Sequence, residues 1–486
     1  MYSLGRALRA YGAATWLARQ GAWTSEDLEG ASLNIAASAN FWLPETPKVK
    51  VRGEFKAEVG QQPEAMLGAA LVDDPRVRPI RGGVAFTASP TDSVKSFLPI
   101  TVQGHFESGE SVTLVNARNH GGSGHFFTGG RPYYKADYAV VGDRHVSGGD
   151  QLFGAVRFRF GDPYWLGHLQ DSNASIVDSD GSTLSVETSG DGNWLVYTAA
   201  TPATMMRLET RVVLGCLTLA QLALDQDFAA RDTHVRISDD DPWLTVLGPG
   251  ANTPANEFDP DTLLLRDELT IERFAQWIPF NDTLDGLASV ASRPIEGLLQ
   301  SEVLVVTALL EGLHRRLPNV FEQSKFPNAS GSALDRIKQA TRRAAKEKAA
   351  GQQNLDPQRV CDTVMKSVSH FEDVEYLQRA DDVVTKVCAV LPEIAESVPV
   401  ADLPVLLRDG RNEMAHQLPL DHEQEPLEVR YLRWLVVASV TPWLLRGLLL
   451  LEAGVDPGVL HDRHLAYGRF LFFRANVAQF VDELGW

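Results

Sequence analysis

The sequence predicts an α+β protein, with an N-terminal antiparallel β-sandwich-like domain over residues 1–262 and an all-α helical bundle over residues 263–486. Two observations predict this fold class. Between about residues 30 and 250, short alternating runs lie between turn formers, whereas after about residue 264 glycine becomes rarer and apolar residues recur three and four apart. A length of 486 residues also suits more than one domain.

The strands of the N-terminal half are predicted from period-two alternation, which places successive side chains on opposite faces of a half-buried strand. Gly, Asp, Ser and Thr residues separate these runs, as expected for turns between antiparallel strands. The runs are residues 48–52, 100–102, 111–115, 155–160, 184–187 and 194–197. They predict a β-sandwich or barrel-like unit.

The helices of the C-terminal half are predicted from helical spacing and from prolines near their starts, where a missing N–H costs little. The predicted stretches are residues 295–317, 333–350, 360–394, 427–451 and 460–484. The most apolar run, residues 435–451, contains Pro442 and Arg446, so it predicts a buried bundle helix and not a membrane span. Residues 1–21 contain three arginines among apolar residues and predict a surface helix, not a secretory signal.

The net charge, the composition and the cysteine content of the chain argue against several classes of protein. The chain has 45 Lys and Arg against 63 Asp and Glu, a formal net charge of −18, which argues against broad electrostatic binding of duplex nucleic acid. A composition of 44% hydrophobic and 22% charged residues excludes wholesale disorder. Only Cys216, Cys361 and Cys388 occur, without a CxxC pair, so we expect a reducing cytoplasm and no disulfide framework.

Several cofactor and catalytic motifs are absent from the sequence. There is no GxxxxGK[ST] phosphate loop, no HExxH zinc motif and no GxSxG nucleophile motif. We therefore expect neither a cofactor nor a metal ion.

One local stretch is strongly basic although the chain is acidic. Within thirteen residues, with only Glu347 opposing, lie Arg336, Lys338, Arg342, Arg343, Lys346 and Lys348. Such a stretch indicates either a solvated helix face or a contact with an RNA backbone. On the second reading, Arg342 and Arg343 are RNA-binding candidates.

The segment 408–417, RDGRNEMAHQ, carries the candidate catalytic residues. His416 is the only histidine of the chain with an arginine, Arg411, five positions earlier. We expect Asp409 to cap a new helix that opens with Arg411 and Asn412. Five residues turn a helix through about 140°, so a site that uses both side chains favours a second copy of the helix. Arg408, just before, is a further RNA-binding candidate.

These residue types suit RNA cleavage without a metal. An imidazole with an ordinary pKa of about 6.5 can accept the proton of a ribose 2′-hydroxyl or donate one to the leaving 5′-oxygen, and either role is open for His416. The Arg411 guanidinium stays charged and can stabilise the negative charge of the transition state, while Asn412 can orient the phosphate. The expected products are a 2′,3′-cyclic phosphate and a 5′-hydroxyl.

The arginine, polar residue and histidine at 411, 412 and 416 resemble the HEPN ribonuclease motif. Two further segments, 309–316 and 271–277, resemble the ApeA-like HEPN arrangement, and residues 52–55 and 104–114 are similar to the N-terminal domain of that family. The resemblance implies a composite site formed by a homodimer, because the motif occurs once. It also implies an anti-phage abortive-infection protein that cleaves RNA, with tRNA the expected target, after residues 1–262 sense a phage cue.

Two other functions are also compatible with the sequence. A non-catalytic HEPN sensor or scaffold would dimerise and bind RNA or a nucleotide, since a fold does not determine a function. A carbohydrate-binding β-sandwich with an unrelated helical tail is the third possibility. Glu311, in the first of the resembling segments, is expected either to position the site across the dimer or to be a solvated carboxylate.

Overall fold

The structure is a computed structural model that describes residues 34–72, 77–80, 83–86, 98–123, 131–160, 169, 175–190, 192–227, 229–251, 261–295, 297–416 and 425–486. The stretch 1–21, predicted to be a surface helix, lies outside them. The described residues form two compact units. The first combines those up to Gly149 with those of Pro242–Asn252, and the second combines those of Asp150–Asp241 and Thr253–Trp486. The predicted boundary at residue 262 falls inside the second unit and stays a prediction.

The first unit is an antiparallel barrel. Its strands are β1 (Ile35–Trp42), β2 (Val51–Ala57), β3 (Glu64–Leu67), β4 (Val77–Ile80), β5 (Gly83–Phe86), β6 (Ile100–Phe106), β7 (Ser111–Ser123), β8 (Arg131–Lys135), β9 (Tyr138–Gly142) and β15 (Leu244–Leu247). The order β7-β6-β1-β2-β3-β8 closes because β8 pairs with β7. β9 extends the sheet from β7, β15 pairs with β9, and β4 and β5 form a separate hairpin.

Period-two burial follows from the sequence pattern in these strands. In β2 the side chains of Phe55 and Ala57 are buried, whereas Arg52 and Glu54, at positions on the opposite face of the strand, are exposed. Phe41 and Leu114, on other strands, fill the same core. This confirms the predicted β-rich N-terminal fold, although the run 48–52 becomes regular strand only from residue 51.

The second unit contains a five-stranded antiparallel sheet of order β11-β12-β13-β10-β14 and a set of helices. The strands are β10 (Leu152–Phe160), β11 (Ser175–Ile176), β12 (Thr183–Ser189), β13 (Gly192–Thr204) and β14 (Ala230–Arg236). The helices are α1 (Met205–Leu208), α2 (Leu214–Leu224), α3 (Ile271–Thr283), α4 (Leu287–Ala291), α5 (Leu299–Arg316), α6 (Gly331–Ala350), α7 (Pro357–Val368), α8 (Tyr376–Cys388), α9 (Leu403–His416), α10 (Leu427–Glu452), α11 (Pro457–Ala466) and α12 (Gly468–Leu484). A π-helical turn, Glu209–Val213, joins α1 to α2.

The sequence does not predict the helices α1 and α2, because its pattern up to about residue 250 indicates strands. α2 is apolar on all sides, and ten of its eleven residues are buried. A helix buried all round has no polar face, so its sequence lacks the periodicity on which prediction depends. The predicted stretches 360–394 and 460–484 are each divided into two helices.

The helix α10 is the core element of the bundle. Among the described residues it is the one helix long and apolar enough to cross a membrane by length and composition, and 67% of its most apolar window is buried in the protein. Arg446, in this helix, forms an ion pair with Asp225. The helix is therefore a buried bundle helix, as predicted. It packs against α5, α8 and α9, which brings these four helices together around the segment 408–416.

Candidate functional site

The segment that carries Arg411 and His416 is the second half of one continuous helix, α9. The expectation that Asp409 caps a new helix is wrong, because Asp409 and Gly410 lie inside α9 and Asp409 instead accepts a hydrogen bond from Arg408 Nε at 2.8 Å. Gly410 serves packing: a Cβ there would lie 3.3 Å from Val303 of α5. The backbone N–H groups at Arg411 and Asn412 are thus in a helix interior, where they are committed to helical hydrogen bonds.

Arg411 is held by two neighbouring helices. Its Nη2 donates a hydrogen bond to Glu311 Oε2 of α5 at 2.7 Å, and its guanidinium lies 4.9 Å from the ring centroid of Tyr376, at the start of α8. The side chain is 28% exposed. A guanidinium held from one side by a carboxylate and from another by an aromatic face keeps a fixed orientation while part of it still reaches solvent.

Glu311 bridges two arginines. Its second oxygen, Oε1, accepts hydrogen bonds from Arg315 Nε at 3.2 Å and Arg315 Nη2 at 2.9 Å. Burial acts to raise the pKa of the Glu311 carboxyl, but hydrogen bonding to Arg315 and the charge of Arg411 outweigh it, so the pKa lies below its ordinary value. Glu311 is therefore an ionised carboxylate within an ion-pair cluster of its own chain, and not a solvated one.

Tyr376 is fixed beneath Arg411 by its hydroxyl group. The hydroxyl donates a hydrogen bond to the backbone oxygen of Thr307, on α5, at 3.3 Å. Burial is the largest cause that raises the pKa of Tyr376 above its ordinary value, so the phenol is neutral at physiological pH. The ring acts as a rigid face for the Arg411 guanidinium.

The other predicted site residues lie on the same helix. Asn412 is half-buried, and Arg408 forms an ion pair with Asp409 at 2.7 Å, which partly neutralises its charge. His416 belongs to α9, about 7.5 Å along the helix axis from Arg411 and about 140° around it, but its side chain lies outside the described part of the structure. The structure thus brings Arg411 together with Glu311 and Tyr376, which are distant in sequence.

Glu413, also on α9, anchors this helix to α10. Its buried carboxylate accepts hydrogen bonds from Arg430 Nε at 2.7 Å, from a second nitrogen of the same guanidinium, and from Trp434 Nε1 at 2.9 Å. Glu413 is not among the candidate residues that the sequence predicts. The available signal was a glutamate followed, 17 and 21 positions later, by an arginine and a tryptophan that lie one turn apart on the next helix.

A buried polar network joins α5 to α8 beside the Arg411 cluster. Arg379 donates a hydrogen bond to His314 Nδ1 at 3.1 Å, so the His314 proton is assigned to Nε2, which donates to Asp382 Oδ2 at 2.8 Å. His314 and Arg379 are almost completely buried, and burial lowers the pKa of His314. A neutral imidazole and a buried guanidinium thereby fix the two helices that supply Glu311 and Tyr376.

The basic residues predicted near position 340 lie on α6. Lys338 forms an ion pair with Glu372 at 2.7 Å, whereas Arg342 and Arg343 are exposed and form no ion pair within the described residues. Among the described residues, neither of them forms a hydrogen bond or an ion pair with a member of the Arg411 cluster. They remain candidates for RNA contact on a separate helix.

Metal ligands can be judged only where the structure describes the chain. Over those residues there is no group of three or more His, Cys, Asp and Glu side chains that could hold a metal ion. The Arg411 cluster has one carboxylate and it is already paired with two guanidinium groups.

Comparison with known proteins finds a family match for the N-terminal part of the chain. No curated protein and no solved structure matches the sequence. Residues 37–198 match the family model of ApeA N-terminal domain 1, from within β1 to within β13. The ApeA N-terminal domain suggests an ApeA-type anti-phage system. This match supports the resemblance of the chain to the ApeA-like family, while the HEPN assignment of its helices stays a prediction.

Proposed function

We propose that this chain is a metal-independent endoribonuclease of the HEPN type that acts in an anti-phage abortive-infection system. Arg411 stabilises the transition state, His416 is the general acid or base, and Asn412 orients the phosphate. The N-terminal part, residues 1–262, senses a phage-encoded trigger. RNA is the substrate, with tRNA the expected target, and the protein acts in the cytoplasm, not at a membrane.

The observation that carries this proposal is the setting of Arg411. Catalysis of phosphoryl transfer needs a positive charge that is fixed before the reaction and still reaches the substrate. Arg411 meets both needs, because Glu311 and Tyr376 hold it and 28% of its side chain is exposed. His416 lies on the same helix and supplies the residue type that transfers protons near neutral pH.

The chemical step follows from these residue types. The ribose 2′-oxygen attacks the adjacent phosphorus, and the P–O5′ bond breaks to give a 2′,3′-cyclic phosphate and a 5′-hydroxyl. One proton leaves the 2′-hydroxyl and one is delivered to the 5′-oxygen, and His416 performs one of these transfers. Arg411 donates hydrogen bonds to the phosphate oxygens while their negative charge increases.

A homodimer is part of the proposal. Since positions 411 and 416 of an ideal helix lie about 140° apart around its axis, a site that uses both residues favours a second copy of α9 to complete it. Exposed apolar side chains lie on two of the helices that pack against α9, and we expect the interface to include them: Leu304 on α5, and Leu427 and Tyr431 at the start of α10.

Contacts with the RNA backbone are assigned to three arginines. Arg342 and Arg343 are exposed on α6 and carry uncompensated charge within the described residues. Arg408 lies on α9, one turn before Arg411, with part of its charge neutralised by Asp409. Such contacts neutralise phosphates, so they give affinity and salt dependence without sequence specificity.

One cellular experiment tests the proposed activity. Wild type, Arg411→Ala and His416→Ala are induced, and total RNA is sequenced with a method that captures 2′,3′-cyclic phosphate ends. We expect new discrete ends with the wild type and a loss of at least tenfold in both variants, a cautious figure for a lost charge-stabilising donor. Arg52→Ala is the matched control, because Arg52 is an exposed arginine on the barrel, paired with Glu107 at 2.7 Å.

Three outcomes would contradict the proposal or a part of it. Equal cleavage by Arg411→Ala and wild type would remove Arg411 from the reaction. Cleavage by the purified wild type that stops when EDTA is added would indicate a metal-dependent nuclease. A monomer that cleaves RNA at high dilution would contradict the composite site.

The non-catalytic scaffold is the second candidate. Its supporting observation is that Arg411 already has a carboxylate partner in its own chain, as a structural arginine would. On this reading Arg411→Ala lowers the thermal stability, and no protein variant changes the RNA of the cell.

A further inference from the structure

A second arginine shares the carboxylate that holds Arg411. Arg315 lies one helical turn after Glu311 on α5, and both its Nε and its Nη2 donate hydrogen bonds to Glu311 Oε1, at 3.2 and 2.9 Å. Arg411 donates to the other oxygen, Oε2, at 2.7 Å. The two guanidinium groups are thus separated by no more than one carboxylate and the two hydrogen bonds that flank it.

The charges of this cluster do not cancel. One carboxylate faces two guanidinium groups, so Glu311, Arg315 and Arg411 together carry one net positive charge. Arg315 is the more exposed of the two arginines, with 49% of its side chain accessible against 28% for Arg411. Within the described part of the chain, Nη1 of Arg315 has no acceptor. The remaining donors of Arg315 are thus available to an anion from solvent.

We propose that Arg315 is a second phosphate-binding residue of the site, which holds a phosphate of the RNA strand next to the one that Arg411 contacts. This inference rests on the proposed function, since it assigns the neighbouring phosphate of the same substrate. Single-stranded RNA fits such a pair, because consecutive phosphates of one strand present a series of anions to the two fixed cations. Glu311 sets the spacing of the cations and keeps them from repelling each other.

A purely structural role for Arg315 predicts a different result. If Arg315 only held Glu311 in place, its loss would disturb the orientation of Arg411 and would reduce kcat, with little effect on KM. A phosphate contact instead contributes to binding, so its loss raises KM and reduces the dependence of affinity on salt concentration. A change in kcat therefore indicates a structural role for Arg315, and a change in KM indicates a phosphate contact.

The experiment compares Arg315→Gln, Arg315→Lys and a matched control, Arg316→Gln, in the full-length protein. Arg316 is the next residue on α5 and pairs with Asp285 at 2.6 Å, away from the cluster. Cleavage of a single-stranded RNA gives kcat and KM. Fluorescence anisotropy with a 2′-O-methyl RNA, which cannot be cleaved by 2′-hydroxyl attack, gives affinity at several salt concentrations.

We expect Arg315→Gln to raise KM by about tenfold and to reduce the slope of log affinity against log salt by about 0.7, the value for one single-strand phosphate. We expect kcat to change by less than about twofold, the signature of lost uniform binding. Arg315→Lys keeps the charge and should restore the salt slope, and Arg316→Gln should match the wild type. An unchanged salt slope in Arg315→Gln, or a fall in kcat alone, would overturn the proposal.

The same measurements distinguish a failure of the proposed endoribonuclease activity from a failure of the Arg315 inference. A wild type that binds the 2′-O-methyl RNA with a steep salt dependence but cleaves no RNA contradicts the proposed activity, while the anisotropy series still decides the role of Arg315. A wild type that cleaves RNA, with an Arg315→Gln variant of equal KM and slope, contradicts the Arg315 inference alone. A wild type that binds no RNA refutes the inference directly.

Discussion

Replacing Glu311 with glutamine should uncouple Arg411 from its support without changing the shape of the side chain. The pair is joined at 2.7 Å and its side chains are 28% and 17% exposed, so it lies between a surface ion pair and a buried one. A charge-assisted hydrogen bond is worth about 1.5–3 kcal/mol and an exposed pair about 0.2–1 kcal/mol. For this partly exposed pair we expect a coupling free energy of about 1–2 kcal/mol.

The assay is a double-mutant cycle on the free energy of unfolding. It uses Glu311→Gln, Arg411→Gln and the double variant, with urea denaturation followed by circular dichroism. In parallel, kcat for RNA cleavage should fall about 10- to 100-fold in Glu311→Gln, because a loosely oriented Arg411 no longer lies where charge develops.

The matched control is Glu302→Gln. Glu302 lies on the same helix, is half-buried, has no ion pair within the described residues, and its pKa is raised by burial. Its replacement should change the unfolding free energy by less than about 0.5 kcal/mol. Additive effects of Glu311→Gln and Arg411→Gln within about 0.5 kcal/mol, together with an unchanged kcat, would refute the reasoning.

Three further predictions concern stability and binding. Glu413→Ala should reduce the unfolding free energy, measured in urea, by about 3 kcal/mol, because Arg430 loses its buried acceptor; no change would contradict the anchoring role. Burial lowers the pKa of His464 to about 4, so between pH 6.5 and about 4 only the unfolded state binds the proton. The unfolding free energy should therefore fall by about 3 kcal/mol over this pH range, relative to the His464→Asn variant. Replacing Arg342 and Arg343 together with alanine should reduce the salt slope of RNA binding by about 1.4, and an unchanged slope would make α6 a solvated face.

Local patterns predict the elements of this fold well where one face is buried. The strand β2 alternates, and α8 has a polar and an apolar face, so both are visible in the sequence. The helix α2 is surrounded by protein on every side and therefore carries no such pattern. The expected helix start at Asp409 is absent: α9 is continuous there, and Gly410 packs closely against Val303 of α5, a tertiary contact that no local rule detects.

The sequence predicts only part of the candidate site, for a related reason. Arg411 and His416 are marked by their residue types and spacing, but the partner of Arg411 is 100 residues earlier, on another helix. Among the many Glu residues of the chain, nothing local separates Glu311 from a solvated one. Its identity depends on the packing of α5 against α9, which the sequence does not reveal by periodicity.

The barrel is built from two separate stretches of chain, and this has a consequence for synthesis. β15, from residue 244 onward, pairs with β9, yet nearly a hundred residues that belong to the other unit are translated between them. At a translation rate of about 5–20 residues per second, the edge of β9 that pairs with β15 stays unpaired for roughly 5–20 s during synthesis. Gene fusions that exchange the front half of the chain at a single junction near residue 150 would leave that edge permanently unpaired.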